Sequence, residues 1–105
     1  MNLDTEQLNA LSPGDRDRYM ELERLFRSRG WKIVLAAAND NVNTAILVGA
    51  NANTWADNRI AFGNRLAWQT ILNFEESTEQ LYESKAAKAL ERDLVSVIAD
   101  EHENE

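Results

Sequence analysis

Residue types that perform chemistry are sparse in this sequence. His102 is its one histidine, and it stands among acidic residues near the end of the chain. General acid–base catalysis needs a positioned proton acceptor, and the spacing supplies His102 with no serine, cysteine or ordered carboxylate partner. Cysteine is absent, which excludes a disulfide framework, a zinc–thiolate site and a thiol nucleophile. We therefore predict that the protein is not an enzyme and has no catalytic residues.

The glycines and the acidic pairs indicate no ligand site either. The four glycines, at positions 14, 30, 49 and 63, match neither the phosphate-binding loop nor the dinucleotide fingerprint. The pairs Asp15/Asp17 and Glu75/Glu76 lack the dense loop of oxygen ligands that binds calcium. We interpret these acids as solvated helix surface, and we predict no cofactor and no metal site.

Basic residues cluster between Arg16 and Lys32 and recur at Arg59 and Arg65. Acidic residues are interleaved with the first cluster, several of them three or four positions away, which favours ion pairs on a helix surface or between subunits. Eighteen acidic and eleven basic residues give a formal charge of −7, whereas nucleic-acid-binding proteins usually have a net basic surface. We therefore do not expect nucleic acid as the main partner, and a DNA contact through the face from Arg16 to Lys32 is a second alternative.

The elements that position these residues are predicted to be helices. A chain of 105 residues suits one domain, and one proline with four glycines makes a turn-rich β fold hard to build. Ser12 is a good cap before Pro13, so a helix is expected from residue 13 to residue 29. Gly30 is expected to end it in the left-handed conformation, with Trp31 folding back onto Phe26. We expect one helical domain over residues 1–99 and an acidic tail over residues 100–105.

Residues 31–50 allow two interpretations. Strands at residues 32–36 and 44–48, joined by a loop rich in Asn and Asp, are supported by several β-branched residues. A helix over about residues 31–48 is supported by apolar residues that recur every three or four positions. We favour the helix because an isolated two-stranded hairpin is only marginally stable. Asn39, Asp40 and Asn41 are poor helix formers, so we expect distortion there.

The third helix is predicted to be the longest, over residues 54–82. Apolar residues recur along it at alternating spacings of three and four, as in the seam of a two-helix coiled coil. Its length would be about 44 Å, which is long for a monomer of this size. Lys85 and Lys88 break the seam, so a turn is expected near residues 83–84, followed by a helix to about residue 99. Without that turn, the C-terminal part would project as an arm.

These elements predict an all-α protein in a bundle or a coiled-coil-like oligomer. Its predicted parts are a helical hairpin of residues 13–29 and 31–48, one long amphipathic helix over residues 54–82 and a C-terminal helix over residues 85–99. The nearly uncharged middle of the chain holds more aromatic residues than a small helical core can bury. Tryptophan and arginine are favoured at protein interfaces. For Trp68 a core position remains an equal alternative. The predicted interface residues are Trp55, Arg59, Phe62, Arg65, Trp68 and Phe74.

A sequence pattern over residues 22–78 resembles a known group of proteins. The pattern consists of Leu25-Phe26, Gly30-Trp31-Lys32, Trp55, Gly63-Asn64, Ala67 and Ile71-Leu72-Asn73-Phe74-Glu75. It is similar to that of small tailed-bacteriophage proteins encoded among head and packaging genes. The resemblance implies a virion structural or assembly protein, whose partners are copies of itself or a head, portal or tail protein. The expected location is therefore the virion or the host cytoplasm.

Two further expectations concern other partners. The longest apolar runs, at residues 33–38 and 45–50, fall far short of the roughly 20 residues that span a bilayer, so we expect no membrane partner. Residues 74–105 contain ten acidic residues, which together could imitate the phosphates of a nucleic acid. A small acidic inhibitor of a host nucleic-acid enzyme is therefore the first alternative to the assembly protein.

Overall fold

The computed structural model describes the backbone of residues 2–103 and the side chains of residues 2–99. This part of the chain has five α-helices and no strand. The helices are α1 (Thr5–Ala10), α2 (Pro13–Phe26), α3 (Arg29–Ala50), α4 (Trp55–Leu72) and α5 (Phe74–Glu103). The prediction of an all-α protein is confirmed. Residues 104 and 105 of the predicted acidic tail lie outside the described residues.

Short polar side chains cap the N-termini of helices α2 and α4. Ser12 Oγ accepts a hydrogen bond from the Asp15 N–H at 3.2 Å, and Thr54 Oγ1 accepts one from the Asp57 N–H at 3.1 Å. Each bond satisfies one of the N–H groups that a helix leaves free in its first turn. The Ser12 cap was predicted from the sequence. The helix α1, which begins at a capping box formed by Asp4 and Gln7, was not predicted.

The boundary between α2 and α3 differs from the prediction. Gly30 does not end a helix in the left-handed conformation, because it lies in the first turn of α3, and no described glycine has a positive φ. The boundary is set by Ser28, whose Oγ accepts a hydrogen bond from the Trp31 N–H and donates one to the Leu25 carbonyl at 2.6 Å. One hydroxyl thus caps the start of α3 and satisfies a carbonyl in the last turn of α2, so no left-handed residue is needed.

The helical interpretation of residues 31–50 is confirmed by α3, and the alternative of two strands is wrong. Ala38, Val42 and Ala45 are buried on one side of this helix, at the three- and four-residue spacing that favoured it. Helix continues through the polar residues near position 40. There the side chain of Asn41 donates to the Ala37 carbonyl at 2.8 Å, so its amide bonds within the helix instead of competing with it.

The single long helix predicted for residues 54–82 is wrong. α4 ends at Leu72, and the N–H of its C-cap residue, Asn73, donates to the Gln69 carbonyl at 3.0 Å. The turn expected near residues 83–84 is absent, because α5 continues through it. Lys85 does not interrupt the helix, since its Nζ lies 3.2 Å from Asp15 Oδ1 and 5.5 Å from the centroid of the Tyr82 ring.

Residues 2–23 and 76–103 form one compact unit, which we call the terminal unit. Its core contains Tyr19, which is 1% exposed and meets the ring of Tyr82 edge-on at 5.3 Å. The Tyr19 hydroxyl accepts a hydrogen bond from the Leu3 N–H at 3.2 Å and donates to the Glu79 carboxylate at 3.3 Å. These bonds hold the N-terminal residues against α5. The other residues of this core are Leu11 and Ala86, with Leu3, Leu8 and Leu22 partly buried.

Residues 24–75 form the second compact unit, which we call the hairpin unit. Gly49 near the end of α3 meets Ala61 of α4, and Trp31 at the start of α3 meets Phe74 after α4, so the two helices are antiparallel. Small residues allow the helices to approach closely, since a Cβ placed on Gly49 would lie 3.5 Å from the Ala61 Cβ. The rings of Phe26 and Trp31 are 5.1 Å apart, which confirms their predicted contact.

Candidate interaction surface

The most exposed aromatic residues of the hairpin unit lie on one side of α4. Trp55, Arg59, Phe62 and Leu66 are separated by four, three and four residues, which places them on the same side of the helix. Trp55 is 75% exposed and Phe62 is 51% exposed, whereas Ala61 on the side facing α3 is buried. We call Trp55, Arg59, Phe62 and Leu66 the α4 face. An apolar stripe of this kind is typical of a helix that packs against a partner.

Two arginines lie over aromatic rings at this surface. The guanidinium of Arg59 is 4.9 Å from the centroid of Trp55, and that of Arg65 is 5.1 Å from the centroid of Phe62. Stacking of this kind holds the planar guanidinium in place while its N–H groups remain able to donate. The Nε of Arg65 is buried and has no hydrogen-bond partner among the described residues. The surface therefore offers ordered cations beside exposed rings, a combination that suits a partner with apolar and acidic side chains.

A groove of about 220 Å³ runs between α3 and α4 next to this face. Its walls include Ile46, Phe62 and Arg65. The polar side chain at its floor is already used, because Asn58 donates to the Gly49 carbonyl at 3.0 Å and links the two helices. The groove is therefore shaped for an apolar side chain from a partner, with Arg65 as its one cation.

The predicted interface residues fall into three groups. Trp55 with Arg59 and Phe62 with Arg65 form the two stacked pairs. Phe74 lies at the other end of the hairpin unit, where its ring meets those of Phe26 and Trp31 at 5.6 and 6.0 Å, although it is still 40% exposed. Trp68 lies on α4 between these two places and is 36% exposed. The structure thus brings four of the six residues together at one surface.

The sequence analysis did not select the C-terminal part of α5 as an interface. Every residue from 91 to 99 is exposed, and we call this segment the α5 end. It carries four large apolar side chains, which are between 46% and 62% exposed. The signal was present, because Leu94 and Val97 continue the apolar seam beyond Lys85 and Lys88. These side chains are those of Leu94, Val95, Val97 and Ile98.

The two units have opposite charge. Residues 24–75 contain six basic and three acidic residues, so the hairpin unit is positive by three. The remaining residues of the chain carry a net charge of −10. From residue 91 to residue 105 there are six acidic residues and one basic residue. The exposed apolar residues near the C-terminus therefore belong to a strongly acidic segment, whereas those of the α4 face are accompanied by arginines.

Titratable groups with shifted pKa values serve packing in the terminal unit. The Lys85 ammonium beside Asp15 holds the pKa of that carboxyl below its usual range. Burial raises the pKa of Tyr19 to about 12, and the nearby Glu79 carboxylate adds to this effect. Within the described residues, no group of three or more His, Cys, Asp or Glu side chains is placed to hold a metal ion. The arrangement supports binding by surface complementarity.

Three of the basic residues of the alternative DNA-binding face have partners within the chain. Arg16 donates from its Nε to the Leu8 carbonyl at 3.0 Å, and from Nη2 to the Asn9 carbonyl at 3.4 Å. Arg24 and Arg27 also interact within the chain. Since a guanidinium held by main-chain carbonyls has fewer N–H groups to offer a phosphate, this geometry gives the DNA contact no support.

The helix α3 is long and apolar enough to cross a membrane by length and composition alone. Such a result is weak evidence, because helices that pack against other helices in water-soluble proteins pass the same test. Asp40 lies near the middle of α3, with Asn39 and Asn41 on either side. A carboxylate near the bilayer centre costs about 3 kcal/mol on the insertion scale. The polar middle of α3 therefore makes a position across a bilayer costly.

Comparisons with known proteins add no identity to this surface. Neither a protein-family model, nor a curated protein, nor a solved structure matches the chain. The function is therefore argued from the residues and their geometry.

Proposed function

We propose that this protein is a non-enzymatic assembly component that binds copies of itself through its helices. The observation that carries the proposal is the α4 face, where exposed rings and the stacked Arg59 form one stripe along α4, with Arg65 stacked beside it. The setting that we propose, the virion of a tailed bacteriophage or its assembly, follows from the sequence pattern over residues 22–78. A head, portal or tail protein is then a further partner.

The size of the apolar stripe supports self-association that involves more than one surface. Full burial of one large apolar side chain contributes about 1.5–3 kcal/mol. Since Trp55, Phe62 and Leu66 are each already partly covered, their complete burial would contribute about 4 kcal/mol in total. Association itself costs at least about 4 kcal/mol in lost translational and rotational freedom. One α4 face buried against a polar surface would only offset this cost, so the surface of the second copy that it contacts must also be apolar.

Sedimentation velocity of the full chain over a hundredfold range of concentration tests the proposal. We expect the mean sedimentation coefficient to rise with concentration, because self-association follows mass action. The double variant Trp55→Ser/Phe62→Ser should move this rise to at least tenfold higher concentration. Met20→Ser is the matched control, since Met20 is a half-exposed apolar residue on α2. A monomer at every concentration would refute self-association.

The proposed virion setting needs a separate measurement. If the protein is an assembly component of a phage particle, quantitative mass spectrometry should find it at a fixed ratio to the major head protein. This ratio should hold either in purified particles or in isolated assembly intermediates. Absence from both would show that the setting is wrong, even if the protein self-associates in solution.

A further inference from the structure

The α5 end is an apolar helical surface with no partner among the described residues. Val97 and Ile98 follow Leu94 by three and four residues, which places all three side chains on one side of the helix. Val95 lies next to them, and all four side chains are about half exposed or more. A helix buries such a stripe against another helix. The α5 end is therefore suited to a helical partner.

Charge identifies a surface of this same protein as that partner. The α5 end and the residues that follow it carry a net charge of −5, whereas the hairpin unit carries +3. Arg59 and Arg65 stand beside the exposed rings, and neither is paired with a carboxylate within the described residues. Placing an acidic helix on a basic helical face brings opposite charges together as well as two apolar stripes.

The stripe of the α5 end is short enough to lie within the α4 face. The α4 face extends over about 17 Å from Trp55 to Leu66, at 1.5 Å per residue. The exposed apolar side chains of the α5 end extend over about 6 Å, from Leu94 to Ile98. Side chains at spacings of three and four on both helices form ridges that can pack into one another. The groove beside Phe62 and Arg65 adds a place for one further apolar side chain.

Resting on the proposed function, we infer that the α5 end of one copy packs on the α4 face of a second copy. Pairing of two α5 ends would bring together two segments of charge −5, and pairing of two hairpin units would bring together two units of charge +3. The contact between unlike surfaces avoids both repulsions. It also supplies the second apolar surface that the α4 face needs for stable association.

Such a contact is heterologous, because each copy uses one surface to bind and a different one to be bound. Heterologous contacts form closed rings when the rotation between copies closes, and open filaments when it does not. Each added copy presents a free surface for the next. The association should therefore continue beyond the dimer.

Two double variants separate the two surfaces. The α5-end variant is Leu94→Ser/Ile98→Ser, and the α4-face variant is Trp55→Ser/Phe62→Ser. Because every changed side chain is exposed, both variants should keep the helical circular dichroism of the natural chain. Each variant alone should associate at least tenfold more weakly than the natural chain in sedimentation velocity. Leu81→Ser, an exposed apolar residue on the same helix α5, is the matched control and should associate normally.

Mixing the two variants gives the decisive result. The α5-end variant keeps an intact α4 face, and the α4-face variant keeps an intact α5 end. The mixture should therefore form a 1:1 heterodimer that grows no further, because each variant has one surface left. No heterodimer in the mixture, or undiminished association of the α5-end variant alone, would overturn the inference.

Charge and lipid provide further tests. Arg59→Glu should weaken association of the full chain, and raising the salt concentration should also weaken it, because salt screens the attraction between charges. Association that is unchanged in both cases would contradict the role of charge.

Flotation with phosphatidylglycerol vesicles tests lipid as the occupant. The inference is overturned if the natural chain binds the vesicles, the α4-face variant does not, and the mixture forms no heterodimer. These results would assign the α4 face to a membrane surface.

A failure of the inference is distinguishable from a failure of the proposed function. If the natural chain is a monomer at every concentration, both are wrong. If the natural chain associates and the α5-end variant associates equally well, self-association stands and only the pairing of unlike surfaces is wrong.

Discussion

Replacing Tyr19 with phenylalanine tests how the terminal unit is held together. Tyr19→Phe keeps the ring and its edge-on contact with Tyr82, but removes a hydroxyl that accepts from Leu3 and donates to Glu79. A hydrogen bond to a charged group contributes about 1.5–3 kcal/mol, and a partly buried partner regains some of this from water. We therefore expect a loss of about 1.5 kcal/mol at neutral pH, equivalent to a decrease of about 8 °C in Tm.

The pH dependence of this difference provides a sharper test. Because burial raises the pKa of Tyr19 to about 12, the unfolded chain releases this proton near pH 10 while the folded chain retains it. The contribution of Tyr19 to stability is therefore complete below pH 10 and falls as the pH rises toward 12. Two pH units correspond to about 2.7 kcal/mol, so the stabilities of the natural chain and Tyr19→Phe should converge near pH 11.

Urea denaturation followed by circular dichroism at pH 8, 10 and 11 measures both effects. Every other ionisable group is common to both proteins, so its contribution cancels in the difference between them. A difference in unfolding free energy of the same size at pH 8 and pH 11 would refute the raised pKa. A difference near zero at pH 8 would refute the contribution of the hydroxyl's hydrogen bonds.

Two further predictions concern the hairpin unit and use urea denaturation at neutral pH. Ser28→Ala should cost about 1 kcal/mol, because α3 loses its N-cap, whereas Ser84→Ala on the exposed surface of α5 should change stability by less than about 0.5 kcal/mol. Ala61→Leu should cost about 1–3 kcal/mol, because Ala61 is buried beside Gly49 where the helices approach closely, whereas Ala67→Leu at an exposed position of α4 should be nearly neutral. Equal effects of a variant and its control would contradict the corresponding contact.

Local signals in the sequence identified much of the fold. Ser12 was recognisable as a cap because a capping bond involves residues only three positions apart. The helix over residues 31–50 was recognisable from the spacing of residues such as Ala38, Val42 and Ala45. On the candidate surface, Trp55 and Arg59 were predicted together, and a separation of four residues is what allows them to stack on one side of a helix.

Features that depend on distant residues were not recognisable in the same way. The apolar spacing continues past Asn73, and neither a proline nor a glycine marks the end of α4. Lys85 looked like a break in a seam because its partner, Asp15, lies 70 residues away. The boundary at Gly30 was misread because the glycine rule for helix ends competes with a Ser28 cap on the next helix. The α5 end was missed because its apolar spacing predicts a helix but does not show whether another helix covers it.

The two units can fold in a definite order during synthesis, because only one of them is a continuous stretch of the chain. The hairpin unit is one continuous stretch of residues 24–75, so the ribosome has made all of it before it makes the apolar residues near the end of α5. The terminal unit is discontinuous, and the hydrogen bond from Tyr19 to Glu79 must wait for 60 further residues. On the ribosome, where the chain is made from its N-terminus, the contacts of the hairpin unit can therefore form before those of the terminal unit are complete.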